Sequence, residues 1–203
     1  MKVEGNTDRL TIMEIDRPAV FGRVAGALSL CGLDVLEAIA HTEYGMVLAM
    51  FRVAPNTTKD IDWDSVGAFV QDSVRGRVAI AARLAERMKT YSFRLSQQFP
   101  DRVVDTDVKI DNETSSTATV IEVSAPNGMG LLYQITRALS SLDLNILSAK
   151  VQTLGSDVVD SFYVLDNDGK KIDNKSHAEE VKQALKYLSL IHISEPTRLL
   201  SIS

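Results

Sequence analysis

The chain has 203 residues, a net charge of −5 and a single cysteine, which excludes an internal disulfide framework and indicates a reducing, cytoplasmic setting. It has no basic cluster and no apolar run of about 18 residues, so we expect neither a nucleic-acid surface nor a membrane span. An apolar fraction of 45% and a charged fraction of 24% are typical of a globular protein with one large or two small domains.

The first part of the chain predicts the order strand, helix, strand, strand, helix. Residues 10–15 alternate as a strand does, and Pro18 suits the first turn of a helix that Gly32 ends. Residues 34–42 and 46–53 predict a hairpin, and residues 60–74 predict a second helix. Asp62 and Asp64 open that helix, where carboxylates stabilise the N-terminus, and we prefer this interpretation to a metal site.

The middle segment predicts a helix at 78–88, within an insert at about 76–100, and a connector with weak strand character at 91–100. Residues 106–111 alternate again and lead through the polar turn 112–116 into a strand at 119–125. We therefore expect the last strand of the first unit to run through this hairpin into the first strand of the second unit.

The second part repeats the first. Leu10–Val53 aligns without a gap on Ile121–Val164 at a constant offset of 111 residues, and most of the identical positions are apolar. A helix at 130–142, strands at 145–153 and 157–165 and a helix at 176–187 follow in the same order. This order predicts an α+β fold of two tandem ferredoxin-like βαββαβ units, with antiparallel sheets and both helices on one face, the second unit lacking its last strand.

The expected domain boundaries are 8–112 and 117–187. Residues 188–198 resemble the translation of an adapter used to prepare sequencing libraries, so we expect 188–203 to be a non-native tail. On this interpretation Met1 is an internal methionine, and a larger protein lies upstream.

Both units carry residues that resemble ACT domains, the small regulatory modules that bind amino acids. In the first unit these are Asp16, Arg17 and Pro18 after a strand, and then Gly32–Val35 after the helix. In the second unit they are residues 127–132 and 144–146. The tandem arrangement, and above all residues 149–155 and 157–164, resembles the C-terminal end of bacterial protein-PII uridylyltransferases.

This resemblance implies glutamine sensing that switches a nucleotidyltransferase domain and a phosphohydrolase domain, which act on the PII signal protein. Neither catalytic domain is recognisable in the sequence, so we expect no enzymatic activity of this chain alone. Mg²⁺ and UTP are cofactors of the parent family, and none is expected in this chain. The implied partners are a small amino acid, PII through the parent enzyme, and either a second copy or the other ACT unit.

The loop between the first strand and the first helix is the candidate ligand site in each unit. A helix N-terminus offers free N–H groups and partial positive charge to a carboxylate, and glycine allows close approach. In the second unit the candidates are Asn127, Gly128, Met129, Gly130 and Asn145. In the first unit they are Asp16, Arg17 and Ala19, where Ala19 replaces the glycine of the family and Met129 replaces its usual proline.

The remaining histidines and the cysteine do not indicate a metal site or a catalytic nucleophile. His41, His177 and Cys31 are separated in sequence and form neither a zinc motif nor a cysteine–histidine pair. The leading hypothesis is therefore a regulatory fragment of a uridylyltransferase. A stand-alone double-ACT sensor and a purely structural pair that docks on catalytic domains are the alternatives.

Overall fold

A computed structural model describes residues 1–17, 19–56, 58, 60–88, 106–126, 128–154 and 157–191. In the part before residue 89, the elements are β1 (Lys2–Asn6), β2 (Arg9–Ile15), α1 (Val20–Leu30), β3 (Leu33–Glu43), β4 (Met46–Pro55), α2 (Trp63–Val74) and α3 (80–88). After residue 105 they are β5 (Asp107–Asp111), β6 (Thr119–Pro126), α4 (Leu131–Ser141), β7 (Asn145–Leu154), β8 (Asp157–Leu165) and α5 (Lys175–Ile191). We call these parts the first half and the second half.

The strands form one eight-stranded sheet in the order β1-β2-β4-β3-β7-β8-β6-β5. Every pair is antiparallel, and β3 joins β7 through Ala38 and Ala149, so the two halves share the sheet. The predicted α+β fold with two ferredoxin-like units is therefore confirmed. The helices cover one face of the sheet, and we call the opposite face the outer face.

Two strands differ from the sequence prediction. β1, which the sequence analysis missed, pairs with β2 and occupies the edge of the first half. β5 was assigned to the first unit, but it pairs with β6 and forms the far edge of the second half. As expected, no strand follows α5 among the described residues, and β5 fills the edge position of the second unit from the N-terminal side. The domain boundaries as such stay a prediction.

The core lies between the sheet and the helices. Phe51 and Phe162, equivalent residues of β4 and β8, are both fully buried at its centre. In the first half the ring of Phe21 adds an aromatic contact, with its centroid 5.1 Å from that of Phe51. Burial of such large side chains on both sides of the β3–β7 pair gives one continuous apolar core, which stabilises the joined sheet.

Helix α1 approaches α4 closely across the junction of the halves. A Cβ atom on Gly22 would lie 2.8 Å from the Thr136 hydroxyl oxygen, and one on Gly26 would lie 2.8 Å from the ring of Tyr133. Side chains at these two positions would separate the helices. The two glycines therefore set how tightly the halves pack against each other.

Some of the predicted segments fall partly or wholly outside the described residues. The weak strand expected at 91–100 falls outside the described residues, as do residues 192–203 of the expected tail. Helix α5 continues four residues past the expected end at Tyr187, to Ile191. No helix in the described ranges is long and apolar enough to cross a membrane.

Candidate functional site

The two predicted ligand loops have the same backbone. In the first half the Val20 amide donates to the Arg17 carbonyl at 3.2 Å, and in the second half the Leu131 amide donates to the Gly128 carbonyl at 3.2 Å. The residue before each helix lies in the left-handed region, with φ of +68° at Ala19 and +74° at Gly130. The alanine thus adopts the conformation that glycine takes in the second half, at a cost that glycine avoids.

In the first-half loop, the two charged candidates have different environments. The Arg17 guanidinium donates to the buried Glu14 carboxylate at 2.9 Å. The Asp16 amide donates to the Gly45 carbonyl at 2.8 Å, which fixes the loop to the β3–β4 turn. Arg17 is therefore already neutralised by a neighbour, whereas the Asp16 carboxylate stays beside the start of α1.

The second-half loop is covered by α3, the helix of the insert. A Cβ atom on Gly130 would lie 3.2 Å from a methyl carbon of Leu84. The Gln134 amide donates to the Met88 sulfur at 3.3 Å, and Met129 packs on the same small apolar cluster. Asn127, the remaining candidate here, lies outside the described residues. The loop is thus a packed junction rather than a free turn.

Sheet register decides which end of the sheet each loop occupies. The second-half loop follows Pro126, which pairs with Asp157, and Asp157 pairs in turn with Leu154 at the end of β7. Because β3 and β7 are antiparallel through Ala38 and Ala149, the end of β7 lies beside the start of β3. The second-half loop therefore shares its end of the sheet with Asp34.

The same register argument places Asn145 at the end of the sheet that carries the first-half loop. Asn145 begins β7, so it lies toward the end of β3, where Glu43 pairs with Met46. Met46 also pairs with Ile15, the last residue before the first-half loop. Asn145 thus shares an end of the sheet with Asp16 and not with Gly130, although the sequence analysis had grouped it with the second-half loop.

Asp34 is a candidate that the sequence analysis missed. It lies at the position equivalent to Asn145 under the 111-residue offset, so the repeat itself could have revealed it. Asp34 is exposed at the residue level, and partial desolvation of its carboxyl raises the pKa above the ordinary value. The nearby Leu30 carbonyl accepts a hydrogen bond from Arg87 of α3, so α3 contacts both the chain leading into Asp34 and the loop at Gly130.

Asp160 is a second unexpected group. It is 2% exposed, and its Oδ1 atom has no hydrogen-bond partner among the described residues. It pairs with Val123 and Val151 on the neighbouring strands, three residues in from the Asp157–Pro126 pair. Burial raises its pKa to about 7. At neutral pH the carboxyl group is therefore partly protonated inside the core of the second half.

A cavity of about 650 Å³ lies on the other side of α3, between α1, α2 and α3. Its wall includes Cys31, Asp62, Phe69, Arg83 and Arg87. Burial raises the pKa of the half-buried Cys31 thiol, which disfavours a nucleophilic thiolate. Asp62 caps α2 by accepting from the Ser65 amide at 3.2 Å, as predicted. Among the described residues, none of the predicted ligand residues lines this cavity.

The two histidines in the described part of the chain, His41 and His177, are not grouped with other metal ligands. The exposed His41 imidazole lies 3.9 Å from the Glu43 carboxylate, and His177 lies in the first turn of α5. Within the described ranges, no three His, Cys, Asp or Glu residues are grouped to hold a metal ion.

Comparison with known protein families finds a match for the second half of the chain. Residues 107–200 match the family described as ACR9-like, ACT-like domain. The matched range begins at the first residue of β5, in agreement with the pairing of β5 in the second half. The second half of the chain therefore matches an ACT-like domain, and the first half repeats the order of its strands and helices.

The particular relatives are bacterial bifunctional uridylyltransferase/uridylyl-removing enzymes. The chain is 34% identical over 171 residues to the enzyme of Rhodospirillum rubrum, covering 84% of this chain and 18% of the relative. It is also 34% identical over 184 residues to that of Rhodopseudomonas palustris, covering 88% and 20%. The chain thus corresponds to the ACT-containing C-terminal region of these enzymes and spans about a fifth of their length.

A solved structure of an unknown protein from Galdieria sulphuraria aligns with 90% of this chain and 91% of its own, at 14% identity and a TM-score of 0.29. Similarity at this level supports no conclusion.

Proposed function

We propose that this chain is the amino-acid-sensing part of a protein-PII uridylyltransferase/uridylyl-removing enzyme and that glutamine is its ligand. The observation that carries the proposal is that α3, at one end of the shared sheet, contacts both the second-half loop at Gly130 and the chain leading into β3 at Leu30. A ligand bound there contacts both halves, so its binding energy depends on how the halves are arranged. Such a dependence is what a sensor needs, because a ligand shifts an equilibrium only through unequal affinity for its states.

The chemistry of this place suits an amino acid. The N-terminus of α4 offers backbone N–H groups to a carboxylate, and Gly128, where an added Cβ atom would meet nothing nearer than 3.9 Å, leaves room for close approach. Asp34 supplies a negative charge for the ammonium group at the same end of the sheet. At the first-half loop the equivalent strand residue is the neutral Asn145, and Arg17 is already paired with Glu14. We therefore expect the second-half loop to bind more tightly.

The remainder of the proposal concerns a longer protein. Catalytic domains that use Mg²⁺ and UTP, and the PII partner, would belong to other parts of such an enzyme, and we assign them no residue here. The cytoplasm is the expected compartment. A stand-alone double-ACT sensor would bind the same ligand in the same way, so it differs only in what the sensor regulates.

Calorimetric titration of L-glutamine into the chain tests the proposal. At a glutamine concentration about 100 times the Kd, binding stabilises the fold by about 2.7 kcal/mol, which raises the melting temperature by roughly 5–10 °C in a protein of this size. We expect Asp34→Ala to weaken the tighter site at least about tenfold, as loss of a charged hydrogen bond does. Asn145→Ala, the matched control, should leave that site unchanged.

A folded sample that shows neither heat nor a melting shift at about 10 mM glutamine, far above ordinary ligand affinities, would contradict glutamine sensing. Binding of another amino acid under the same conditions would keep the sensor and replace its ligand. Equal effects of the two alanine variants would contradict the assignment of Asp34.

A further inference from the structure

Each half of the chain buries one carboxyl group on the helix-facing side of its sheet, close to its ligand loop. In the first half it belongs to Glu14 of β2, which is 6% exposed, and in the second half to Asp160 of β8, which is 2% exposed. Asp160 pairs with Val123, and Ala125, the equivalent of Glu14, lies two residues further along β6 on the same face. Because such diagonal neighbours lie about 7–8 Å apart, the two acids occupy adjacent positions of the same repeated surface.

The packing of the helices places Asp160 beneath the start of α4. In the first half the Phe21 ring, in the first turn of α1, lies 5.1 Å from the Phe51 ring. Their equivalents under the 111-residue offset are Leu132 and Phe162, and both are buried. Asp160 lies two residues before Phe162 on the same face of β8, about 7 Å closer to the loop. Its carboxyl group therefore lies under the residues that precede Leu132, where α4 begins.

The first half supplies its buried acid with a cation. The Arg17 guanidinium donates to a Glu14 carboxylate oxygen at 2.9 Å, and the Ile15 amide donates to the same oxygen at 3.1 Å. The Met1 amino group lies 3.5 Å from the other oxygen. Although burial raises the pKa of Glu14, these partners together hold it below its ordinary value. The acid of the first half is therefore ionised and paired.

In the second half a glycine stands at the position of Arg17. This residue is Gly128, where an added Cβ atom would meet nothing nearer than 3.9 Å. Asp160 Oδ1 has no hydrogen-bond partner among the described residues, and burial raises the pKa of its carboxyl to about 7. A buried acceptor without a donor costs free energy, and a ligand that donates to it recovers that cost. The change from Arg17 to Gly128 thus leaves both room and an acceptor for a ligand.

The group that fits this place is a planar N–H donor at the end of a short chain. The Arg17 guanidinium is such a group, and so is the side-chain carboxamide of an amino acid. In the proposed binding mode, the ligand carboxylate lies at the N-terminus of α4 and its ammonium group lies toward Asp34, so its side chain can extend beneath the helix toward Asp160. A side-chain carboxylate there would place a second negative charge against a buried acid, which is unfavourable.

We propose that Asp160 distinguishes glutamine from glutamate at the second-half loop, by accepting a hydrogen bond from the side-chain carboxamide of the ligand. This inference rests on the proposed function and adds to it a residue that recognises the ligand side chain. The first half, where Arg17 already holds Glu14, offers no such acceptor, so its loop does not select for an amide.

Calorimetric titrations of L-glutamine and L-glutamate into the full chain test this selection. We expect glutamine to bind the wild type about 10–100 times more tightly than glutamate, as a hydrogen bond to a charged group predicts. In Asp160→Asn, whose amide both donates and accepts, this preference should fall to about threefold or less. Asp173→Asn, the same change at an exposed acid, should keep the preference of the wild type.

A second measurement needs no ligand. Gly128→Arg restores the cation of the first half, and we expect the new guanidinium to pair with Asp160. The effect of Gly128→Arg on the melting temperature should therefore be more favourable, by about 2–4 °C, in the wild-type background than in the Asp160→Asn background, since groups in contact are coupled. Gly128→Leu, which adds a side chain without charge, should have the same effect in both backgrounds.

The outcomes separate this inference from the proposed function. Glutamine binding with an unchanged preference in Asp160→Asn, or equal affinity of the wild type for glutamate, would overturn the role of Asp160 and leave the sensor in place. Gly128→Arg acting alike in both backgrounds would show that Asp160 does not face the loop, and would also overturn the inference alone. Binding of neither amino acid to the folded wild type would overturn the proposed function and the selection with it.

Discussion

In the first half β4 carries Ala49 in the core, and at the equivalent position of the second half β8 carries the buried Asp160. The residue before the first helix is Ala19 in one half and Gly130 in the other, with almost the same backbone conformation. The shared apolar positions keep the same backbone arrangement in both halves, whereas one of these differences lies in the core and the other lies in the ligand loop. The two loops therefore differ in chemistry but share one backbone geometry. We expect them to bind an amino acid with different affinities.

The largest effect should come from Asp160. Its folded-state pKa of about 7 lies above the ordinary value of 3.8, so between these pH values the folded protein keeps a proton that the unfolded chain releases. Stability therefore falls as pH rises through this window, by up to about 4 kcal/mol, and changes no further above it. Urea unfolding between pH 4 and pH 8 should show this fall in the wild type and a much smaller one in Asp160→Asn. The exposed Asp173→Asn should behave as the wild type, and a fall unchanged in Asp160→Asn would contradict the assignment.

The next largest effect concerns the contact between the halves. A Cβ atom on Gly26 would lie 2.5 Å from a methyl carbon of Ile80, so Gly26→Leu forces α1 away from α3 and α4. We expect a loss of about 2–3 kcal/mol, as overpacking causes, measured by urea unfolding. Arg137→Leu, the same side chain at the exposed equivalent position, should change stability by no more than about 0.5 kcal/mol. Equal losses would show that the halves do not pack through α1.

The smallest effect tests the two loop residues directly. Gly130→Ala places a side chain at φ +74° and within 3.2 Å of Leu84, and should cost about 1–2 kcal/mol. Ala19→Gly relieves the same strain in the first half but makes the unfolded chain more flexible. We expect it to stabilise the protein by about 0.5 kcal/mol, which thermal unfolding can detect. Opposite signs for the two changes support a shared left-handed turn, and equal signs contradict it.

Much of this fold was predictable because the apolar positions repeat. The periodic apolar residues of 20–31 and 131–142 led correctly to α1 and α4, and the hairpins β3–β4 and β7–β8 followed from alternation around short turns. β1 was missed because its sequence, KVEGN, is short and polar, and as an edge strand it needs few buried side chains. The hairpin of β5 with β6 was expected, but β5 was assigned to the first half, because alternation and a short turn do not indicate whether a strand also pairs with another strand on its other side.

The candidate site was less predictable, since it depends on pairing between the halves. The loops were located correctly as backbone turns, yet nothing in the local sequence places Asn145 at the same end of the sheet as Asp16, or Asp34 at the same end as Gly130. This placement follows from the antiparallel Ala38–Ala149 pair. The packing of α3 on the second-half loop was also unforeseen, because helical periodicity at 78–88 indicates an apolar face without saying what it covers.

The central claim is that one amino acid, bound where the halves meet, contacts both of them. A titration of L-glutamine into ¹⁵N-labelled chain, followed by the backbone amide signals of Gly130 and Asp34, tests this most directly. We expect both signals to shift along the same saturation curve, and both shifts to be lost in Asp34→Ala. A glutamine response at Gly130 with none at Asp34, or at neither residue, would contradict the claim.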